Sequence, residues 1–279
     1  MPKGWFITGS SRGLGRVWAE AALGRGDRVV ATARDVASLD PLVAQYGDRV
    51  LALPLDVTDR AAAFAAVAQA AEFLDRLDIV VNNAGYGLFG MVEEVTEDQA
   101  RAQLETNLFG ALWVTQAALP IMRQQRSGHL LQVSSIGGVH AFPGLGLYHA
   151  SKWALEGFSQ ALAQEVGSFG IKVTLVEPTG YGTDWAFGSA VRAEPLEAYD
   201  DLRAGMLQAR AAVAANRGDP QATAPAILHL VDLAEPPLRL FLGIGPLDMI
   251  RIEYAERLET WETFDQLSRD AHGGPRADG

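Results

Sequence analysis

"GWFITGSSRGLG" (4–15) joins a short apolar run to three glycines, and its reading decides the fold. "GWFIT" (4–8) reads as a buried strand, and a helical pattern follows over about 13–25. Gly9 permits a tight turn between them, while Gly13 and Gly15 let turn and helix approach closely. The start of that helix offers free N–H groups to a phosphate. The spacing is G-x-x-x-G-x-G rather than the common dinucleotide fingerprint G-x-G-x-x-G. No Gly-Lys-Ser/Thr follows, so it is not a P-loop. Taken alone, three glycines also fit plain turn chemistry.

The same alternation continues along the chain. Strands are predicted at 28–33, 49–56, 77–85, 128–135, 171–178 and 238–244. Helices are predicted at about 59–75, 97–125, 148–168, 224–234 and 246–268. Strands that alternate with helices make βαβ units, and continuously apolar strands suit a parallel sheet covered on both faces. The expected class is therefore α/β, a Rossmann-like doubly wound parallel sheet of about seven strands. One domain is expected over 1–268. Residues 181–219 lack periodicity and are a candidate substrate lid, and 269–279 is expected to be a disordered tail.

Bulk composition narrows the function. Hydrophobic residues make up 48% and charged residues 20% of 279 residues, as in globular proteins. The net charge of −11 argues against a nucleic-acid partner. With no cysteine, disulfides and thiolate metal sites are excluded, and the five histidines show no metal spacing. "MPKGWFITGS" has too short an apolar run for a signal peptide, and no stretch approaches a membrane span. A cytoplasmic setting is expected.

Open α/β sheets bind ligands beyond the carboxyl ends of their strands, so the strand ends carry the candidates. After the second strand comes Arg34, which with Arg12 in the glycine turn would clamp a 2′-phosphate. That favours NADP(H). Asp35 keeps NAD(H) as the alternative, through a ribose 2′-hydroxyl. Asp56 closes the third strand and is positioned to accept from an adenine amine. "NNAG" (82–85) closes the fourth, with Asn83, Ala84 and Gly85 offering amide groups near a ribose. Ser134 and Ser135 close the next strand, where a substrate oxygen would lie. Pro178 leads into "TGYGT" (179–183), a wrap for a nicotinamide amide. "YHASKWALEG" (148–157) sets Tyr148 and Lys152 on one side of a helix that Leu155, Phe158 and Leu162 anchor.

These residues together resemble the short-chain dehydrogenase/reductase family. The resemblance runs over about 1–185 through "TGSSRGLG", Asp56, "NNAG", Asn107 in "NLFG", Ser135, "YHASK" and "EPTGYGT", in the family's order. Ser135 matches the family's serine better than Ser134 does. Thr179 departs from the glycine many members carry there. The resemblance implies that Tyr148 is the acid in ketone reduction and the base in alcohol oxidation. Lys152 would lower the phenol from its usual pKa of ~10 by ~1–3 units and hold the nicotinamide ribose. Ser135 would bond the substrate oxygen, and Asn107 would hold a water in a proton relay to Lys152. The implied cofactor set runs from Gly9, Ser11, Arg12, Gly13 and Leu14 through Arg34, Asp56 and Val57 to Asn83, Ala84 and Gly85. It continues with Pro178, Thr179, Gly180 and Thr183 and shares Tyr148 and Lys152.

The expected function is an NADP(H)-dependent interconversion of carbonyl and alcohol on a small to medium apolar substrate. Tyr86, Phe89, His140, Phe142 and Trp185 are the candidate pocket lining, and several equally fit an ordinary core. His149 lies about 100° around the helix from Tyr148 and receives no role. The alternatives are a non-catalytic nucleotide sensor, or an epimerase or isomerase working by transient hydride transfer. By resemblance the chain is expected to form a homodimer or homotetramer.

Overall fold

The run Gly4–Ile7 forms strand β1 with every residue buried, as the interior of a covered sheet requires. The computed structural model describes residues 2–186, 188–214 and 217–274. After β1 come helix α1 (Gly13–Arg25), β2 (Arg28–Ala33), α2 (Asp40–Tyr46), β3 (Val50–Pro54), α3 (Arg60–Leu74) and β4 (Ile79–Asn82). A two-residue strand β5 (Leu88–Phe89) precedes α4 (Glu97–Leu104) and α5 (Gly110–Gln125). Then follow β6 (Gly128–Val133), α6 (Gly146–Val166), β7 (Ile171–Pro178), β8 (Val191–Arg192), α7 (Asp200–Ala214), α8 (Thr223–Leu230) and β9 (Arg239–Leu242).

Seven strands pair in the order β3-β2-β1-β4-β6-β7-β9, and every pairing is parallel. The chain reverses direction across the sheet between β1 and β4, which opens a crevice at their carboxyl ends. Side chains alternate along each strand. Trp5 and Ile7 face a layer with Trp18, Ala22, Leu42 and Ile227, while Phe6 and Val30 face one with Val67, Val114 and Leu162. Each fully buried large side chain contributes about 1.5–3 kcal/mol. The buried indoles find acceptors: Trp5 Nε1 donates to Asp27 Oδ2 at 2.8 Å and Trp18 Nε1 to Thr223 Oγ1 at 2.8 Å.

Several expectations need correction. The helix predicted over 97–125 is broken by a π-helical turn at Glu105–Phe109, because the Asn107 side chain bonds off the helix. The segment 181–219 is not without structure: β8 pairs with β5, and α7 follows. Met1–Gly243 is one compact unit that holds the sheet, and Ile244–Gly279 is a second. That unit contains α9 (Pro246–Thr263) and α10 (Asp265–His272), so helix replaces the disorder expected from 269 to 272. Residues 275–279 of the expected tail lie outside the described residues.

A Cβ built on Gly15 would stand 2.6 Å from the Gly9 carbonyl oxygen, a backbone atom that cannot step aside. Gly15→Ala should therefore cost about 1–3 kcal/mol of stability. Denaturant unfolding measures it, and an unchanged midpoint would show that the turn is not tightly packed.

Candidate active site

At the crevice the glycine turn is held open by its own backbone. Gly9 and Gly13 take φ values of +68° and +60°, which favour glycine. Thr8 latches the turn to the end of β4. Its Oγ1 accepts from the Asn83 and Ala84 amides, both at 3.0 Å, and Asn83 Nδ2 donates to the Thr8 and Gly9 carbonyls at 2.9 and 3.0 Å. This corrects the expectation that Asn83 and Ala84 offer their amides to a ribose: Thr8 already takes both. Val57 is likewise buried against Gly110. Asp56 turns Oδ1 toward Thr58 N and Oγ1, at 3.0 and 2.8 Å.

The N-terminus of α1 has no side-chain cap and no acid in its first turn, so its N–H groups and dipole face the crevice. Ser11, Leu14 and the exposed Arg12 lie at this turn. Thr183 sits over it, 3.8 Å from a Cβ built on Gly13. Arg12 and Arg34 are exposed and make no ion pair among the described residues. Asp35 caps the short turn after it, accepting from Ala37 N at 3.2 Å. Pro178 is buried at the end of β7, Thr179 N donates to the Leu242 carbonyl at 2.9 Å, and Gly180 is exposed. Free helix N–H groups, open glycines and two unpaired guanidinium groups fit a dinucleotide phosphate.

The chemical end is built by α6. Tyr148 and Lys152 are each 6% exposed. Lys152 Nζ donates to the Val133 carbonyl at 2.7 Å and lies 5.9 Å from the centre of the Tyr148 ring. Ser135 stands close enough to the Tyr148 hydroxyl to lower its proton affinity, and its Oγ accepts from Gly137 N at 3.0 Å. Asn107 Nδ2 donates to Tyr86 O at 3.0 Å and Ser151 Oγ at 3.1 Å, and its Oδ1 accepts from Tyr86 N at 3.1 Å. Ser151 Oγ in turn donates to the Tyr148 carbonyl at 2.7 Å. Both amide protons of Asn107 are thus taken by protein, and the side chain ties Gly85–Tyr86 to α6.

Burial sets the electrostatics. It pushes Tyr148 up to about 12, against a smaller lowering by the Ser135 hydrogen bond. It brings Lys152 down to about 8, against the pull of Glu156. Desolvation is thus the largest influence on the phenol in the protein alone, and the lowering expected from Lys152 with an oxidised nicotinamide concerns the loaded site.

Of the expected pocket lining, Trp185 and Phe89 come together beside Tyr148, with ring centres 5.5 Å (Trp185–Phe89) and 5.0 Å (Trp185–Tyr148) apart. Trp185 packs over Gly87, where a Cβ would meet its ring at 2.6 Å. Tyr86 is half-buried; burial raises its phenol and the Arg34 charge lowers it. His140 and Phe142 lie on the loop after Ser135, 6.1 Å apart, and no ring contact joins them to Trp185 among the described residues.

Two participants escaped sequence reasoning. His149 Nδ1 lies 2.9 Å from the Gly137 carbonyl, and Phe142 N donates to its Nε2 at 3.3 Å, so it holds the loop that begins at Ser135. Glu94 is buried and accepts from Met91 N at 2.7 Å, Leu196 N at 2.9 Å and Arg203 Nη2 at 2.8 Å. These contacts hold its carboxyl down at about 2, the Arg203 hydrogen bond first among the causes. A pair of glutamates between apolar residues in "GMVEEV" (90–95) was the only hint.

This geometry agrees with what the chain resembles. Residues 3–190 match the family model described as short chain dehydrogenase. Oxidoreductase BOA17 of Botryotinia fuckeliana is 48% identical over 248 residues, covering 87% of this chain and 89% of that protein. A short-chain dehydrogenase structure from Streptomyces avermitilis superposes with a TM-score of 0.90 at 39% identity, covering 97% of this chain and 98% of that one. A short-chain dehydrogenase/reductase from Burkholderia phymatum, solved in complex with NAD, has a TM-score of 0.81 at 23% identity. It covers 93% of this chain and 95% of its own, and at that identity it shows the fold alone. The chain belongs to the short-chain dehydrogenase/reductase family and is an NAD(P)-dependent oxidoreductase. No described helix is long and apolar enough to cross a membrane.

Glu94 links the segment at 196–203 to the loop after β5. Glu94→Ala should cost about 1.5–3 kcal/mol through its charged hydrogen bonds and speed proteolysis near 190–205. Cleavage at the wild-type rate would show that Glu94 does not hold this segment.

Proposed function

We propose that the protein is an NADP(H)-dependent carbonyl reductase and alcohol dehydrogenase acting on small to medium apolar ketones, aldehydes and alcohols. The observation that carries this is one buried constellation: Tyr148 and Lys152 one helical turn apart on α6, with Lys152 bonded to the end of the strand that Ser135 follows. A bound nicotinamide nucleotide supplies hydride to a carbonyl carbon or accepts it from an alcohol. Tyr148 delivers its phenolic proton to the substrate oxygen in reduction, and Ser135 bonds that oxygen as charge grows on it. A phenol held near 12 is protonated at any working pH, so the resting site is ready for reduction. In oxidation the phenolate has to form, and the Lys152 ammonium is the charge that favours it. Asn107 keeps the cleft wall and α6 in register, and one lone pair of its Oδ1 remains for a water.

The NADP(H) preference rests on Arg12 and Arg34, both without an ion pair among the described residues, and on Asp35, whose carboxylate caps a turn. NAD, present in the Burkholderia phymatum structure, is the second cofactor. Phe89 and Trp185 beside Tyr148 suit an apolar or aromatic substrate. The same reading includes a cytoplasmic enzyme that pairs through the helices at 97–125 and 148–168 as a homodimer or homotetramer.

Tyr148→Phe should abolish turnover across a panel of ketones and alcohols while nucleotide binding, read by fluorescence, persists. Retained turnover would refute the role of the phenol. Arg34→Ala should weaken NADPH about tenfold or more, the value of a charged hydrogen bond, and leave NADH little changed. Equal losses for both nucleotides would refute the phosphate clamp.

A further inference from the structure

One turn of α6 beyond Lys152, Glu156 is 5% exposed and Glu177 of β7 is fully buried beside it. A single cation, Arg239 of β9, reaches both among the described residues. Its Nε lies 2.9 Å from Glu156 Oε2 and 3.6 Å from Glu177 Oε1, and its Nη2 donates to Gln160 Oε1 at 2.9 Å. Two buried carboxyls therefore share one part-exposed guanidinium, and Glu156 also faces the Lys152 ammonium.

Hydrogen-bond accounting reveals a second mismatch. Glu156 Oε1 and both Glu177 oxygens are buried without a donor. Ionised carboxylates only accept, so two of them cannot satisfy each other. A single added proton turns one into a donor and closes the pair. The Ser134 and Ser159 hydroxyls are also buried without a hydrogen-bond partner among the described residues. Ser134 Oγ and Glu156 Oε1 lie 2.5 and 3.2 Å from a Cβ built on Gly138.

We propose that Glu156 and Glu177 hold one proton between them, carried by Glu177, and that ionised Glu156 keeps Lys152 charged. This rests on the function proposed above and makes both carboxyls positioning residues for the reaction, acting through the lysine. Glu156 is suited to the ionised role because Arg239 bonds it directly. The groups that face the pair are Lys152 on α6, Arg239 on β9, Ser134 after β6, and Ser159 and Gln160 on α6. Burial raises the Glu177 carboxyl, the Glu156 charge raises it further, and Arg239 opposes both. The same Glu156 charge is what holds Lys152 up against burial.

The sign of the pH dependence follows from linkage. A carboxyl raised in the folded state keeps a proton that the unfolded chain releases, at its ordinary pKa of about 4.3 for glutamate. Its stabilisation is complete below that value and is lost as pH climbs toward the folded value. Thermal unfolding from about pH 5 to pH 9 should thus show a falling Tm in the wild type and a shallower fall in Glu177→Gln. Identical slopes would overturn the shared proton, and this measurement needs no turnover. In the pH profile of ketone reduction, Glu156→Gln should move the alkaline limb of kcat/KM down by about one unit, whereas Glu177→Gln keeps it in place. An unmoved limb in Glu156→Gln would overturn the link to Lys152. A wild type that reduces no carbonyl compound would instead strike the proposed function, and the Tm comparison would still decide the proton pair.

Discussion

The hydrogen bond from Lys152 Nζ to the Val133 carbonyl locks the catalytic helix onto the end of the central sheet. An ammonium buried in protein is costly unless a polar partner receives it. Here the partner is the last residue of β6, two positions before Ser135. One bond therefore fixes the rotation of α6 and its distance from the loop that supplies the serine. Tyr148, one turn earlier on the same helix, is carried into register with Ser135. The rest of the crevice is arranged around this contact: Asn107 braces the opposite wall, and His149 holds the loop at Gly137 and Phe142.

The electrostatics follow from that burial. Desolvation acts on Tyr148 and Lys152 in the same sense, favouring the neutral form of each. Tyr148 rises to about 12 and Lys152 falls to about 8. At pH 7 the lysine is still roughly ten-to-one protonated, so the resting pair is a neutral phenol beside a cation. That is a proton donor in place, and its conversion to a base requires more positive charge at the crevice than the protein alone supplies. The acidic residues behind α6 belong to the same balance, since they decide how firmly the lysine keeps its proton.

Much of this was legible because the physics is local. Strands β2 and β7 and helix α1 begin and end where hydrophobic periodicity placed them. The residues proposed to carry the chemistry stand at strand ends or one turn apart on a helix. What stayed hidden depends on contacts between distant segments. The π-turn at Glu105–Phe109 exists because Asn107 bonds to Tyr86 and Ser151, which periodicity over 97–125 does not encode. Helix α7 carries Arg203, which reaches back to Glu94 across more than a hundred residues. His149 was dismissed because it points away from Tyr148, yet that direction takes it to the loop. The loss of water around Tyr148 and Lys152 was hidden too, because a sequence shows a neighbouring charge but not its burial.

The most direct test is a structure of the protein with an oxidised nicotinamide nucleotide bound. The account predicts the pyrophosphate at the N-terminus of α1, the nicotinamide ribose on Lys152, and the ring facing Tyr148 and Ser135. A nucleotide that binds elsewhere, or a ring turned away from the Tyr148 hydroxyl, would contradict it.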